Sequence, residues 1–264
     1  MENQGNSETE SIGICGYMCE SNGVLTTDEF NTLLELARSS TFIDCLNSDF
    51  YNAIKAIQTE NEIGIDAKGF GFGDDIKLLN ISTSQHVYQF DILMLGNLAF
   101  SQGLQAILEG EIVKVIHDCR IISYYLNKRF SVNLQNVFDT AVAELMIAKS
   151  VFNEVPKYVC NLPECLKENL GISPSVVWFR VNEKSIWTKR PVSQNLKFAA
   201  ARDVIFLLNL KRYLLDRMMS PLQQGTNIFL NLVRNSPDEE VDAYATTVYL
   251  TPKRFEELDI SNKR

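Results

Sequence analysis

The apolar positions of this chain change period several times, and each change marks an element. Phe30, Leu33, Leu34, Leu36 and Ala37 recur at helical spacing behind Thr26 and Thr27, either of which can cap a helix with acids in its first turn. From Asn61 the pattern is strand-like. Glu62–Asp66, Ile76–Ser82 and His86–Asp91 are short runs separated by turn residues, at a spacing that predicts a meander. Leu98–Leu108 then reads as a helix, with Ser101 as a cap for its second half. Ile112–Ile116 is a β-branched run of the buried type, Cys119–Arg129 a helix, Leu134–Phe138 a short strand and Thr140–Phe152 a helix. Leu162–Leu170 is a short helix ended by Gly171. Asn195–Met219 is a long apolar-periodic helix expected to stop before Pro221. A weaker helix over Asn227–Arg234 and an extended segment over Tyr244–Leu250 follow. Strands that pair locally and then alternate with helices predict an α/β fold, with a mixed central sheet flanked by helices.

Composition narrows the class. The chain has 264 residues, 45% of them hydrophobic and 22% charged, enough for one large domain with appendages or two small ones. The six cysteines, Cys15, Cys19, Cys45, Cys119, Cys160 and Cys165, are too sparse for a disulfide framework. Their spacings, and the positions of His86 and His117, do not suit a structural zinc site, so they read as free thiols in a reducing compartment. Residues 1–10 are polar and acidic, without the apolar core of a secretory signal, and no apolar run approaches the roughly 20 residues of a membrane span. No membrane insertion and a cytoplasmic location are therefore expected. The net charge of −8 counts against nucleic acid as a partner, although acids cluster late in the chain at Asp238–Glu240 and Glu256–Glu257 and leave room for a basic groove elsewhere.

Five stretches carry a more specific signal: Ile63–Gly69, Val87–Asp91, Lys114–Arg120, Leu134–Thr140, and Trp187–Ser193 with Phe198–Val204. Each is weak alone. In this order, each on a predicted element, they resemble the 3′–5′ exonuclease domain of the RNase D-like branch of the DEDD superfamily. The resemblance implies a ribonuclease H-like exonuclease fold and two divalent ions about 3.5–4 Å apart, held by four carboxylates around the scissile phosphodiester. Two acids come from an Asp-x-Glu pair on the first strand, where alternate residues share a face. The third comes five residues after the histidine. The fourth comes four residues after a tyrosine that orients the water.

The degenerate positions here are Asp66, Lys68, Ile122 and Asp203. Asp66 matches the first acid, but Lys68 stands for the second and Ile122 for the third. Asp203 matches the fourth, with Ala199 at the tyrosine position. A register shifted by one puts Phe198 and Arg202 there instead. An ammonium about 4 Å from a divalent ion repels it by several kcal/mol at an effective dielectric of 20, and isoleucine offers no oxygen. The ancestral Mg/Mn site is therefore expected to be non-functional, with no metal and no catalytic residue retained. Asp74, Asp75 and Asp118 are the acids near enough in sequence to substitute.

Plainer roles exist for the same residues. Asp66 suits a strand-end turn, Asp203 a pair with Arg202 or Lys197 or a solvent-facing position, and Asp139 a cap for the helix at Thr140. His117, Trp187 and Phe198 suit the core. The replacements at Lys68 and Ile122 shift the groove by three positive charges. Lys68, Arg120, Lys128, Arg129, Lys189, Arg190 and Arg202 are the candidates to meet RNA phosphates, with Lys184 and Lys197 beside them.

Within the superfamily the chain is similar to animal exonuclease-domain proteins of the Egalitarian-like and piRNA-pathway group, through Lys114–Arg120, Leu134–Thr140 and the Trp-x-x-Arg-Pro stretch at Trp187–Pro191. Members of that group, insect ones included, are similar in having a degraded acidic site, and the resemblance implies an adaptor for single-stranded RNA in complex with a Tudor-domain protein. It also implies a homodimer acting in cytoplasmic germ granules, and a small Lsm-like piece ahead of the nuclease domain, for which residues 11–40 are the candidate remnant. The expected division is 1–40 tail and remnant, 41–220 exonuclease-like domain, 221–264 extension. An active nuclease with substitute ligands and a protein-only scaffold stay open beside the adaptor.

Overall fold

A computed structural model describes residues 25–70, 75–173, 184–244, 251–256 and 258. Most of the expected N-terminal tail and most of the Tyr244–Leu250 segment lie outside the described residues. Six strands form one sheet: β1 (Thr41–Ile43), β2 (Glu62–Lys68), β3 (Leu78–Ser82), β4 (Val87–Phe90), β5 (Val113–Ile116) and β6 (Val137–Asp139), in the order β1-β4-β3-β2-β5-β6. The predicted meander is β2-β3-β4, antiparallel throughout, while β1 pairs with β4, and β5 with β2 and β6, in parallel. The sheet is mixed and covered on both faces, as its patterning predicts.

The helices begin where capping chemistry allows. Thr26 opens α1 (Thr27–Arg38) with a full capping box to Glu29. Asn47 caps α2 (Ser48–Gln58), Asp118 caps α3 (Cys119–Phe130), and Asp139 caps α4 (Thr140–Phe152) as expected. Asn161 caps α5 (Leu162–Leu170), which ends on left-handed Gly171.

Two helical expectations need correction. Leu98–Leu108 is not one helix. Short helical pieces at Ile92–Leu95 and Asn97–Ala99 lead into a π-turn at Phe100–Leu104 and a last turn at Gln105–Glu109. Gly103 there has φ 148°, and a Cβ on it would lie 2.7 Å from Ile54, so both the backbone angle and the close approach require glycine. Ser101 caps nothing and donates its hydroxyl back to the Leu98 carbonyl. The helix predicted over Asn195–Met219 is two: α6 (Gln194–Ile205), capped by Ser193, and α7 (Leu207–Asn231). The break falls at fully buried Phe206, whose ring stacks on Phe30 of α1. Pro221 stands inside α7, which absorbs the helix expected at Asn227–Arg234. Apolar packing continues past the proline, where Gly225 lies against Phe255, and outweighs the lost backbone bond.

The alternation of β2 positions the site. Ile63, Ile65 and Ala67 enter the core that includes α2, α3 and the π-turn. Gly64 points the other way, where a Cβ would meet the Val204 carbonyl at 3.0 Å and Leu207 Cβ at 3.3 Å. The α6–α7 junction thus lies directly on β2, and Asp66 and Lys68 share that face. The second core lies under α1, α4, α5, α6 and α7.

Candidate functional site: a carboxylate cleft closed by a lysine

Asp66 and Lys68 leave β2 toward α6, and Asp203 comes down from α6 to meet them. Lys68 Nζ is 2.6 Å from Asp203 Oδ2 and 3.0 Å from Asp66 Oδ2, with each of the three side chains less than a quarter exposed. Asp203 therefore pairs with neither Arg202 nor Lys197 and does not face solvent, contrary to the plainer expectation. The reason is the period-2 face of β2, which delivers a cation opposite the helix. Asp66 also accepts from Asn80 Nδ2 at 3.4 Å, and Gln89 braces Asn80 while donating to the Lys197 carbonyl at 2.9 Å. That buried amide chain, which sequence reasoning missed, ties the meander to α6.

Burial pulls the Lys68 ammonium down, but the carboxylates of Asp203 and Asp66 more than offset it, so its pKa lies above the ordinary lysine value. Burial raises the Asp66 carboxyl, with Lys68 opposing. A cleft of about 380 Å³ opens over this floor. Its lining includes Ile122, His117, Asp118, Trp187 and Ala199. Ala199 and Asp203 both face it, whereas Arg202 and Arg38 lie over the Phe198 ring at 5.7 and 5.6 Å. Of the two registers, the one with Asp203 and Ala199 is the one that puts both of its residues in the cleft lining.

The remaining acids are already engaged. Asp118 caps α3 and takes two bonds from Arg120, at 2.7 and 2.6 Å, which hold its carboxyl below the usual range. Asp139 accepts from the backbone amides of Asp118, Cys119 and Ala141. Asp75 pairs with Arg129 at 2.6 Å, and Asp74 lies outside the described residues. A pair of divalent cations does not fit this donor set. The space between the two aligned carboxylates holds an ammonium, Ile122 is apolar, and among the described residues no group of three or more His, Cys, Asp or Glu is placed to hold a metal.

His117 is a wall-builder. Nδ1 meets the Thr140 hydroxyl at 2.9 Å and Nε2 the Cys160 carbonyl at 2.8 Å. Burial lowers its pKa, so the ring is neutral, with Nε2–H donating to Cys160. It thereby pins the loop before α5, whose Asn161, Leu162 and Pro163 complete the cleft wall.

The basic candidates separate. Arg190 turns inward to grip fully buried Asp91 with two bonds, and its Nη1 donates to the Trp187 and Lys189 carbonyls, so it is placed to hold Trp187 in the wall and not to meet a phosphate. Lys68 is likewise occupied by carboxylates, so its charge does not make the floor positive. One ammonium against two carboxylates leaves the floor net negative. Lys128 and Lys189 are exposed, Arg120 and Arg129 are exposed but ion-paired, and Arg202 is partly buried. The Lys184 side chain lies outside the described residues.

A sequence model described as "3'-5' exonuclease" matches residues 47–219, about two thirds of the chain and all of the cleft. The chain belongs to the 3′–5′ exonuclease family. Within that family it is 31% identical over 217 residues to "piRNA biogenesis protein EXD1" of Bombyx mori, covering 81% of this chain and 69% of that protein. It is 34% identical over 229 residues to the Homo sapiens protein of that name, covering 83% of this chain and 45% of the other. The chain thus spans about two thirds of the silkworm relative and under half of the human one. The fold is that of the Trypanosoma brucei RNase D solved with RNA U12, at TM-score 0.58 and 23% identity over 69% of this chain and 64% of that one. This exonuclease-family chain has the ribonuclease H-like fold that its motifs imply, and no helix among the described residues is long and apolar enough to cross a membrane.

Proposed function

We propose that this exonuclease-family protein is catalytically silent and works as a single-stranded RNA-binding adaptor in piRNA biogenesis. The observation that carries the reading is the Lys68 ammonium seated between Asp66 and Asp203, with Ile122 at the third-acid position. A hydrolytic site of this family needs ions where that ammonium lies. The relatives' name, piRNA biogenesis protein, supplies the pathway. In this reading the protein uses no Mg or Mn cofactor. It pairs with a Tudor-domain protein and with a second copy of itself, in cytoplasmic germ granules. RNA is met outside the floor by Arg120, Lys128, Arg129 and Lys189, with Arg202 turned onto Phe198, and not at the net-negative floor, where phosphate is repelled.

A second reading has its own observation. The net charge is −8, and Arg120 and Arg129 are already ion-paired, which favours a protein-only scaffold. One labelled RNA of about 30 nucleotides, incubated with the protein and Mg²⁺ or Mn²⁺ and run on denaturing and native gels, decides among the readings. An intact, shifted RNA whose affinity falls with salt is expected. Shortened RNA would mean a working nuclease, and an intact, unshifted RNA would leave the scaffold.

A further inference from the structure

The floor of the cleft poses a question of charge. Two carboxylates brought together on a poorly solvated surface repel each other, and a cation has to lie between them if both are to stay ionised. In a metal-dependent site that cation comes from solution. Here Lys68 sits two residues along the same strand face from Asp66 and reaches Asp203 on α6, 135 positions away. Its Nζ has three donors and uses two of them on the two carboxylates. The amide chain from Asn80 through Gln89 to the Lys197 carbonyl holds the same two elements at the distance the ammonium bridges. Asp118, the other acid in the cleft lining, is engaged by Arg120.

We infer that Lys68 is a built-in counter-cation: it takes the place of a divalent ion between Asp66 and Asp203, so that the cleft is assembled by folding alone and is indifferent to divalent metal. The inference deepens the silent-nuclease reading and rests on it for the cleft, but not on RNA binding. It gives Lys68 a positioning role, as the tie between β2 and α6. It also assigns a masked site: with the ammonium removed, the carboxylates of Asp66 and Asp203 become a position for one hard divalent cation, which two carboxylates and several waters suffice to hold.

The test uses the full chain, without RNA, in thermal melts with EDTA, Mg²⁺ or Mn²⁺ at constant ionic strength. The wild-type Tm is expected to be the same in EDTA and in millimolar Mn²⁺. Lys68→Ala is expected to melt roughly 10 °C lower in EDTA, the scale on which removing one partner of an inward-facing ion pair acts in a chain of this size. It should regain part of that loss saturably with Mn²⁺. A saturable rise of the wild-type Tm with Mn²⁺ would overturn the inference, as would a Lys68→Ala protein as stable as wild type in EDTA. So would a destabilised Lys68→Ala that no divalent ion restores. If Lys68→Ala does not fold, the triple variant Lys68→Ala/Asp66→Asn/Asp203→Asn decides. It should fold and ignore Mn²⁺, and its failure to fold would trace the defect to the lost lysine stem and overturn the charge argument. The RNA gel reads the adaptor and the melts read the clamp, so either can fail without the other.

Discussion

Lys68 and Arg190 both turn a cation inward onto carboxylates, one on the cleft floor and one bonded to Trp187 of its wall, on opposite terms. Arg190 meets one carboxylate, Asp91, which is fully buried, and gives both Nη1 hydrogens to the Trp187 and Lys189 carbonyls. Charge and hydrogen bonding both close, and Asp91 also caps the short helix Ile92–Leu95. Lys68 meets two carboxylates, leaves an excess negative charge and opens onto a cleft. The closed knot is what a purely structural tie looks like. The unbalanced, open one lies on the floor of the cleft, where the proposed silent site is.

Substitutions can break the comparison. Arg190→Ala leaves Asp91 buried without a counter-charge and should destabilise by about 3–5 kcal/mol in urea unfolding. A loss below about 1 kcal/mol would place Asp91 in contact with water and erase the contrast. Asp203→Asn makes the floor a one-to-one pair. Relief of carboxylate repulsion then offsets a lost charged hydrogen bond, and stability should change by no more than about 1 kcal/mol. A loss matching that of Arg190→Ala would mean that the ammonium needs both carboxylates and that the floor carries no surplus charge. The smallest effect belongs to the neutral member of the wall. Because burial lowers the folded-state pKa of His117, the unfolded chain binds that proton first as pH falls. Stability should therefore be constant above the ordinary imidazole value of about 6.5 and fall below it until the folded-state value is reached, by at most about 1.4 kcal/mol per pH unit for one proton. His86, lowered by burial too, adds a decline of the same sign, so the difference between wild type and His117→Gln isolates the His117 share. A pH profile unchanged by that substitution would detach His117 from the neutral, hydrogen-bonded state assigned to it.

Most of the sheet was legible because period-2 runs and turn residues are local signals. Glu62–Asp66, Ile76–Ser82 and His86–Asp91 differ from β2, β3 and β4 only at their ends. Helix continuity was less so. The kink at Gly103 answers to Ile54, and the break at Phe206 answers to Phe30, each far away in sequence. At the site, the lysine at Lys68 and the isoleucine at Ile122 were readable by position, but the Lys68–Asp203 pair and the inward turn of Arg190 were not. Both depend on which face of a distant element comes opposite. One clue was present: an Asp-x-Lys alternation puts two opposite charges on one strand face, and with an apolar helix to follow, that face needs an acid from elsewhere.

The separation of Lys68 from Asp203 has a kinetic side. Asp66 and Lys68 are neighbours on one strand and can pair as soon as β2 is extended, but Asp203 lies 135 positions further on. Closing a loop of that size costs on the order of 4 kcal/mol of chain entropy beyond a constant, and contacts of such range form only once the intervening elements are arranged. The cleft floor is thus among the last parts of the molecule to take shape, and a nascent chain that has not yet delivered α6 presents only a strand whose lysine is already bound to its own aspartate.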